Sequence, residues 1–348
     1  MRAAVCEGPR KISVIDVNLP VLNSDEALIK VKAAGISGQD VKAYQGTHPA
    51  VIYPIILGNE FSGEVVALGE DVEEVNIGDG AIIEPLFNCG RCPACLAGNY
   101  NLCSELVMIG YQTHGSFAEY TIAKASMLHL KDELLSFEEA ALIGPLAVAV
   151  HAVKRAGISV GDTVAILGSG AIGLFTLQVA RKAGAKVIMT DVIDEKLHLA
   201  AGLGADYVLN ANTTDPRELV MAITQDRGAD VVMECVGTPQ TIAQTVTLVR
   251  KGGTIVMVGW TGNESDQIPL TRITTGEISL LGSATYCRDF PTAIELAISG
   301  DVNFSSIISH EFEFSHIGEA LEEMSEDQNE IIKAMVSFPE EAEETEYE

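Results

Sequence analysis

Residues 163–180 read TVAILGSGAIGLFTLQVA. Five strand-like apolar residues run into Gly168-x-Gly170-x-x-Gly173, and an amphipathic helical pattern begins at once. The first glycine permits a tight turn, the second lets backbone approach a pyrophosphate, and the third lets the helix pack close on the strand. The helix start then offers unpaired N–H groups and a partial positive charge to phosphate. Gly168, Gly170, Ala171, Ile172 and Gly173 are therefore the expected phosphate-binding residues. Asp191 ends the next strand-like run, KVIMTD, 18 residues beyond Gly173. A carboxylate there accepts hydrogen bonds from both ribose hydroxyls and repels a 2′-phosphate, and no Arg follows in DVIDEK to accommodate one. These residues predict NAD(H).

Strand and helix patterns alternate outward from that turn: KVIMTD, EKLHLAAGLG, DYVLN, DPRELVMAITQDRG, DVVMECVG, QTIAQTVTLVRKGG, TIVMVGW. Short β-rich runs separated by amphipathic helices indicate an α/β fold with a doubly wound parallel sheet. Just upstream, SFEEAALIGPLAVAVHAVKRAG has helical spacing and stops at Gly157, which predicts one helix. The first 130 residues differ. KISVIDV, EALIKVKAAGI, SGEVVALGEDV and DGAIIEP alternate with a period near two between Gly, Asn and Asp, as an antiparallel, barrel-like β domain does. The chain is expected to rejoin that domain after about Asp289. The expected division is residues 1–148 with 290–348, carrying a cysteine lobe at about 85–110, and 149–289 for nucleotide binding.

A chain of 348 residues is long enough for two cores. Its net charge of −27 argues against nucleic acid or an anionic membrane surface as partner. The longest apolar run, Ala140–Val150, is too short to cross a bilayer, and the N-terminus has no apolar leader core. The acidic end, PEEAEETEYE, reads as a solvated terminus. Four of seven cysteines crowd into CGRCPACLAGNYNLC, a distribution that fits a metal site in a reducing cytoplasm better than a disulfide framework. Two-residue gaps let Cys89, Cys92 and Cys95 converge on one ion, and Cys103 loops back as the fourth ligand. Four thiolates in a closed tetrahedral shell describe a structural zinc, which braces a loop and does no chemistry.

The stretches LGNEFSGEV, CGRCPACLAGNYNLC, GSFAEY, AALIGPLAVAVHA, GSGAIG and KGGTIVMVG resemble the medium-chain dehydrogenase/reductase family, most closely its zinc-containing alcohol and polyol dehydrogenase branch. The resemblance implies a GroES-like catalytic domain beside a Rossmann domain, an oxidoreductase, and a homodimer or homotetramer. In that family a catalytic zinc is held by a Cys in a GxCGSD-like stretch, a His and often a Glu in GHE, and an acid in an EPL-like stretch. The matching stretches here are GISGQD, GNE and GPL, so the positions are Ser37, Asn59 and Gly144, with only Glu60 kept. The resemblance places Gln39 and Lys42 where the family's proton-relay residues stand, and Ala284 and Thr285 where the polyol branch carries an aromatic and an Arg.

A hydroxyl and an amide oxygen do not replace a thiolate and an imidazole for zinc, so the expectation is one structural zinc and no catalytic one. Charge on a substrate oxygen then falls to Ser37, Asn59 and Lys42 as hydrogen-bond donors, with Lys42 or Glu60 as acid or base. Glu60 as the partner of a nearby Arg is the competing expectation; the resemblance puts His151 close to the cofactor, though it reads equally as a satisfied helix histidine, and His48 and His114, in loop-like segments, read as surface residues. The expected activity is hydride transfer between nicotinamide and a secondary alcohol or ketone of polyol type. Reduction of a conjugated acceptor without metal, or a non-catalytic NAD sensor, stays open from the sequence.

Overall fold

The computed structural model describes residues 1–260, 268–326 and 331–339, so the acidic run from Glu340 lies outside the described residues. Packing divides the chain into two compact units. One comprises Met1–Phe87, Val107–Leu142 and Ile308–Glu348; the other comprises Asn88–Leu106 and Ile143–Ile307.

The second unit holds a fully parallel six-stranded sheet. Its strands stand in the order Tyr207–Asn210, Lys186–Asp191, Thr163–Leu167, Ala229–Glu234, Val249–Met257, Ser279–Gly282. The order turns back between Thr163–Leu167 and Ala229–Glu234, which sets a topological switch point at the carboxyl end of Thr163–Leu167. Every residue of that strand is buried, so it reads as a continuous apolar run and not as an alternation. Helix Ala171–Lys182 follows, and a Cβ on Gly173 would lie 1.9 Å from the Gly168 carbonyl oxygen. Only glycine fits there. The expected doubly wound Rossmann fold is the fold of this unit.

The first unit is the GroES-like β domain. Glu26–Ile36 is its central strand, buried along nearly its whole length, and it pairs with Glu60–Leu68, Tyr120–Lys124 and Ala334–Ser337. The sheet runs Leu128–Leu130, Gly80–Ile83, Glu60–Leu68, Glu26–Ile36, Ala334–Ser337, His310–Glu313, antiparallel except for the last pair. A second sheet orders Lys11–Asp16, Arg2–Gly8 and Ile55–Ile56. Phe61, Phe117 and Phe314 are fully buried in the core of this unit.

Three expectations change. The helix foreseen from Phe137 to Gly157 is two helices, Phe137–Ala141 and Ile143–Ala156. Pro145 gives the reason: its ring clashes with the carbonyl four residues back, that of Ala141, where the first helix ends. Phe137–Ala141 packs on the strands Glu26–Ile36 and Glu60–Leu68, with Ser62 Oγ donating to the Phe137 carbonyl, while Ile143–Ala156 packs on Ala171–Lys182 in the other unit.

The cysteine lobe, expected with the β domain, packs with the nucleotide-binding unit. Asn101 Nδ2 donates to the Ala284 carbonyl at 2.9 Å, Cys287 Sγ to the Gly98 carbonyl at 3.0 Å, and the Arg288 N–H to the Tyr100 hydroxyl at 2.7 Å. The boundary expected at 289/290 moves to Ile308, because helix Phe290–Ile298 packs against Ile143–Ala156.

Gly173→Ala is expected to cost about 1–3 kcal/mol by forcing backbone apart at the turn, read as a lowered denaturant midpoint. An unchanged midpoint shows that the contact yields freely.

Candidate functional site

The nucleotide-binding residues come together at the switch point. Gly170 is the N-cap of Ala171–Lys182, no side chain caps that helix, and a Cβ on Gly170 would meet no atom within 4 Å. The first-turn N–H groups, those of Ala171, Ile172 and Gly173 among them, therefore face open space that suits a pyrophosphate. Asp191 Oδ2 accepts the Ser169 N–H at 2.6 Å, and Oδ1 accepts those of Val192 and Ile193 at 2.7 and 3.1 Å. One carboxylate thus ties the glycine turn to the end of the next strand and keeps one acceptor site, on Oδ2, for a ribose hydroxyl. A nicotinamide dinucleotide would supply hydride exchange, and these are the residues that would hold it.

Sequence reasoning missed Glu234, the last residue of Ala229–Glu234. It is fully buried, and its Oε1 accepts the Val236 and Gly237 N–H groups at 3.0 and 2.8 Å and Thr241 Oγ1 at 2.7 Å. It braces the turn whose Val236 methyl would lie 2.6 Å from a Cβ on Gly168. An acid at a strand end, followed by glycine in ECVG, was the available signal.

In the lobe, the sulfurs of Cys89, Cys92, Cys95 and Cys103 all lie within 4.8 Å of one another. Cys92 to Cys95 is 3.5 Å and Cys89 to Cys95 is 4.0 Å. Zn–S bonds of about 2.3 Å in a tetrahedron place sulfurs about 3.8 Å apart, so the set fits one zinc. The N–H groups of Cys89, Cys92 and Glu105 point at the sulfurs at 3.3–3.4 Å. Backbone donors hold the Cys92 thiol down at about 6, while desolvation and its sulfur neighbours push Cys95 up to about 12. Crowded thiolates repel one another, and a divalent ion among them would offset that repulsion.

In the β unit, Ser37 caps helix Gly38–Tyr44 in a reciprocal box with Asp40. Asp40 has no exposed surface; Oδ2 accepts the Ser37 N–H at 2.8 Å and Ser37 Oγ at 2.5 Å, and Oδ1 accepts the Gly58 N–H at 3.0 Å. Burial raises its carboxyl to about 6 against those hydrogen bonds. Ser37, expected as a donor to substrate, therefore has its proton turned to Asp40. Tyr111, 5% exposed, lies with its hydroxyl 3.3 Å from Ser37 Oγ and its ring 4.6 Å from that of His48. Asn59 Nδ2 reaches Met108 Sδ at 3.6 Å, whereas Asn59 Oδ1 and Gln39 Oε1 are buried with no hydrogen-bond partner among the described residues. Burial lowers the pKa of Lys42; burial, and then the Lys42 charge, lower that of His48.

Glu60 pairs with a lysine, not an arginine. Lys333 Nζ lies 2.7 Å from Glu60 Oε2 and 3.1 Å from the Ile36 carbonyl, with the two side chains 5% and 11% exposed. The remaining expected positions have other surroundings within their own units. Gly144 sits in the other unit with only Phe290 Cζ near its missing Cβ, at 4.0 Å. His151 Nδ1 meets Asp289 Oδ2 at 2.7 Å, and Asp289 also holds Lys154 and the Cys287 N–H, a structural arrangement. His114 Nδ1 accepts the Ile56 N–H at 3.2 Å and is likewise structural. Ser37, Asn59 and Glu60 do not fit a second zinc: a committed hydroxyl, an amide and a carboxylate already neutralised by an ammonium make a poor donor set.

Comparison with known proteins agrees with this architecture. Residues 23–133 match the alcohol dehydrogenase GroES-like domain, and residues 171–299 match the zinc-binding dehydrogenase model. The chain is 35% identical over 341 residues to a sorbitol dehydrogenase of Bacillus subtilis, covering 97% of both chains. It is 36% identical to a D-arabitol-phosphate dehydrogenase of Enterococcus avium, covering 96% of each. Among solved structures, an Escherichia coli CFT073 protein described as a short chain alcohol dehydrogenase, complexed with NADH, superposes with TM-score 0.91 at 30% identity, over 97% of this chain and 99% of that one. A zinc-binding dehydrogenase from Sinorhizobium meliloti 1021, bound to NADP, superposes with TM-score 0.90 at 34% identity, over 97% and 98%.

Lys333→Met strands the Glu60 charge and is expected to cost about 3–5 kcal/mol. Adding Glu60→Gln should recover part of that loss in denaturant unfolding; purely additive losses mean that the two side chains do not interact. Asp191→Ala should weaken NADH binding in calorimetric titration, and unchanged affinity refutes its role.

Proposed function

The chain belongs to the medium-chain dehydrogenase/reductase family, in its zinc-type alcohol and polyol dehydrogenase branch, and on that premise we propose that it exchanges hydride between NAD(H) and a secondary alcohol of polyol type. As an alcohol dehydrogenase-like oxidoreductase it takes a nicotinamide cofactor and a small-molecule substrate. The choice of NAD over NADP rests on Asp191, whose carboxylate stands where a 2′-phosphate would bring two or more negative oxygens together. The sugar-alcohol class is supported by relatives that act on sorbitol and on D-arabitol phosphate.

One zinc per chain, in the cysteine lobe, is the second part of the proposal. The observation that carries it is the Lys333–Glu60 pair: the single acid retained from the family's ligand stretches has an ammonium 2.7 Å away. Asn59 and Lys42 are then the side chains that bind and steady a substrate oxygen, as preorganised donors in a partly dehydrated site. Glu60 and Lys333 hold the start of Glu60–Leu68 against the end of Glu26–Ile36, and so set where Asn59 stands.

Elemental analysis of the purified protein should give about one zinc per chain; two zincs overturn the single-site reading. NADH is expected to bind at least about tenfold more tightly than NADPH, a difference of about 1.4 kcal/mol, by fluorescence titration. In a panel of polyols, simple secondary alcohols and conjugated enones, polyols should turn over with NAD. Turnover of conjugated acceptors alone overturns the alcohol reading, and no hydride transfer on any of them favours a cofactor-binding protein without catalysis.

A further inference from the structure

The Tyr111 hydroxyl lies 3.3 Å from Ser37 Oγ, and the other partners of Ser37 fix the direction of that bond. Ser37 Oγ gives its proton to Asp40 Oδ2 at 2.5 Å and accepts the Asp40 N–H at 3.1 Å. A hydroxyl has one proton and two lone pairs, so Tyr111 is the donor. The three groups form a directed chain, Tyr111 to Ser37 to Asp40, in which every proton has an acceptor next to it. All three members are buried, and Asp40 at its end has no exposed surface.

The surroundings call for a ligand rich in hydroxyl groups. Gln39 Oε1, two residues from Ser37, and Asn59 Oδ1, next to Gly58, are buried acceptors with no hydrogen-bond partner among the described residues. A buried acceptor left unpaired carries a desolvation cost that a donor on a bound molecule removes. The neighbouring alternatives for proton transfer are occupied or mismatched. Glu60 is held by Lys333, and a protonated Lys42 has no lone pair to receive a proton.

We propose that Tyr111 is the catalytic proton acceptor in alcohol oxidation, passing the substrate's hydroxyl proton through Ser37 to Asp40. The proposal rests on the dehydrogenase reading above and extends it to the proton path. The substrate O–H bond breaks and its proton binds the Tyr111 oxygen. The Tyr111 proton moves to Ser37 Oγ, and the Ser37 proton moves to Asp40 Oδ2. The carbinol C–H bond breaks with its electron pair and hydrogen going to the oxidised nicotinamide, and the carbon–oxygen bond closes to a carbonyl. Asp40 holds the released proton while product leaves; the proton then returns along the chain, Asp40 to Ser37 Oγ and Ser37 to the Tyr111 oxygen, as Tyr111 gives its own proton to water entering the emptied site. Reduction runs the same chain in reverse, with Tyr111 giving the proton to the new alcohol.

Tyr111→Phe keeps the ring and deletes the hydroxyl alone. With NAD and sorbitol, D-arabitol, xylitol or galactitol, whichever the wild type oxidises fastest, kcat should fall about 100- to 10,000-fold. NADH affinity and thermal midpoint should stay as in the wild type. Ser37→Ala interrupts the chain and should also lower kcat, whereas Ser37→Thr restores the hydroxyl and most of the rate. A readout without turnover comes from [ζ-13C]tyrosine labelling. The Tyr111 resonance, identified by its loss in Tyr111→Phe, should shift in Ser37→Ala and return in Ser37→Thr. A Phe variant within about tenfold of wild-type kcat, or a Tyr111 resonance indifferent to Ser37→Ala, overturns the proton path alone. A wild type that oxidises none of the polyols overturns the polyol reading, and this proposal with it.

Discussion

Asp40 touches no solvent, yet its two carboxylate oxygens accept three hydrogen bonds, two from Ser37 and one from the Gly58 N–H. Hydrogen bonds to an ionised group contribute about 1.5–3 kcal/mol each, enough together to keep a fully buried carboxyl in place. Two stretches remote in sequence, the start of helix Gly38–Tyr44 and the turn before Glu60–Leu68, are thereby fixed to one atom pair. Ser37 takes its position from that anchor through its cap and Tyr111 meets it through Ser37, while Asn59 is held between the Gly58 turn on one side and the Glu60–Lys333 pair on the other. Gly58 can serve because it adopts φ +97, and a Cβ there would fall 2.5 Å from Ser116 Oγ.

The nucleotide-binding unit uses the same device twice. Asp191 ties the glycine turn to the second strand of the sheet, and Glu234 ties the turn after the fourth strand against it. In each case a carboxylate at the end of a parallel strand collects backbone N–H groups that a tight turn leaves unpaired, an economical way to stiffen irregular backbone. A rigid turn lowers the ordering cost of binding a dinucleotide, because the N–H groups are already aimed.

The sequence discloses local order well and distant pairing poorly. The alternation of strands and helices, the glycine spacing, Asp191 and the four cysteines were legible because each is set by neighbours within a few residues. Lys333 was not, since it stands 273 residues from Glu60 and nothing in IIKAMVSF marks an ion-pair partner. Tyr111 was passed over for a related reason. A tyrosine in a loop-like stretch carries no signal until the fold brings it to Ser37. The broken helix is a different miss: Pro145 was visible, and its clash with the Ala141 carbonyl was outweighed by apolar spacing that runs unbroken across it. Grouping the lobe with the β domain failed because its hydrogen bonds reach residues 284–288, far along the chain.

Charge balance is the ground on which a metal is proposed at one of the two candidate positions and not at the other. The cysteine lobe brings four thiols within 4.8 Å of one another, and a divalent ion among them would offset the repulsion of their ionised forms. Around Asn59 the balance is already closed: Glu60 is neutralised by Lys333, and Asp40 is spent on backbone and hydroxyl donors. A cation placed there would have to displace an ammonium from a buried pair, and breaking such a pair costs about 3–5 kcal/mol before any ligand bond forms. What the second site retains instead is a line of hydroxyl groups ending at a carboxylate. Such a line moves protons without a Lewis acid, provided that each oxygen has one donor and one acceptor, the condition that Ser37 satisfies between Tyr111 and Asp40.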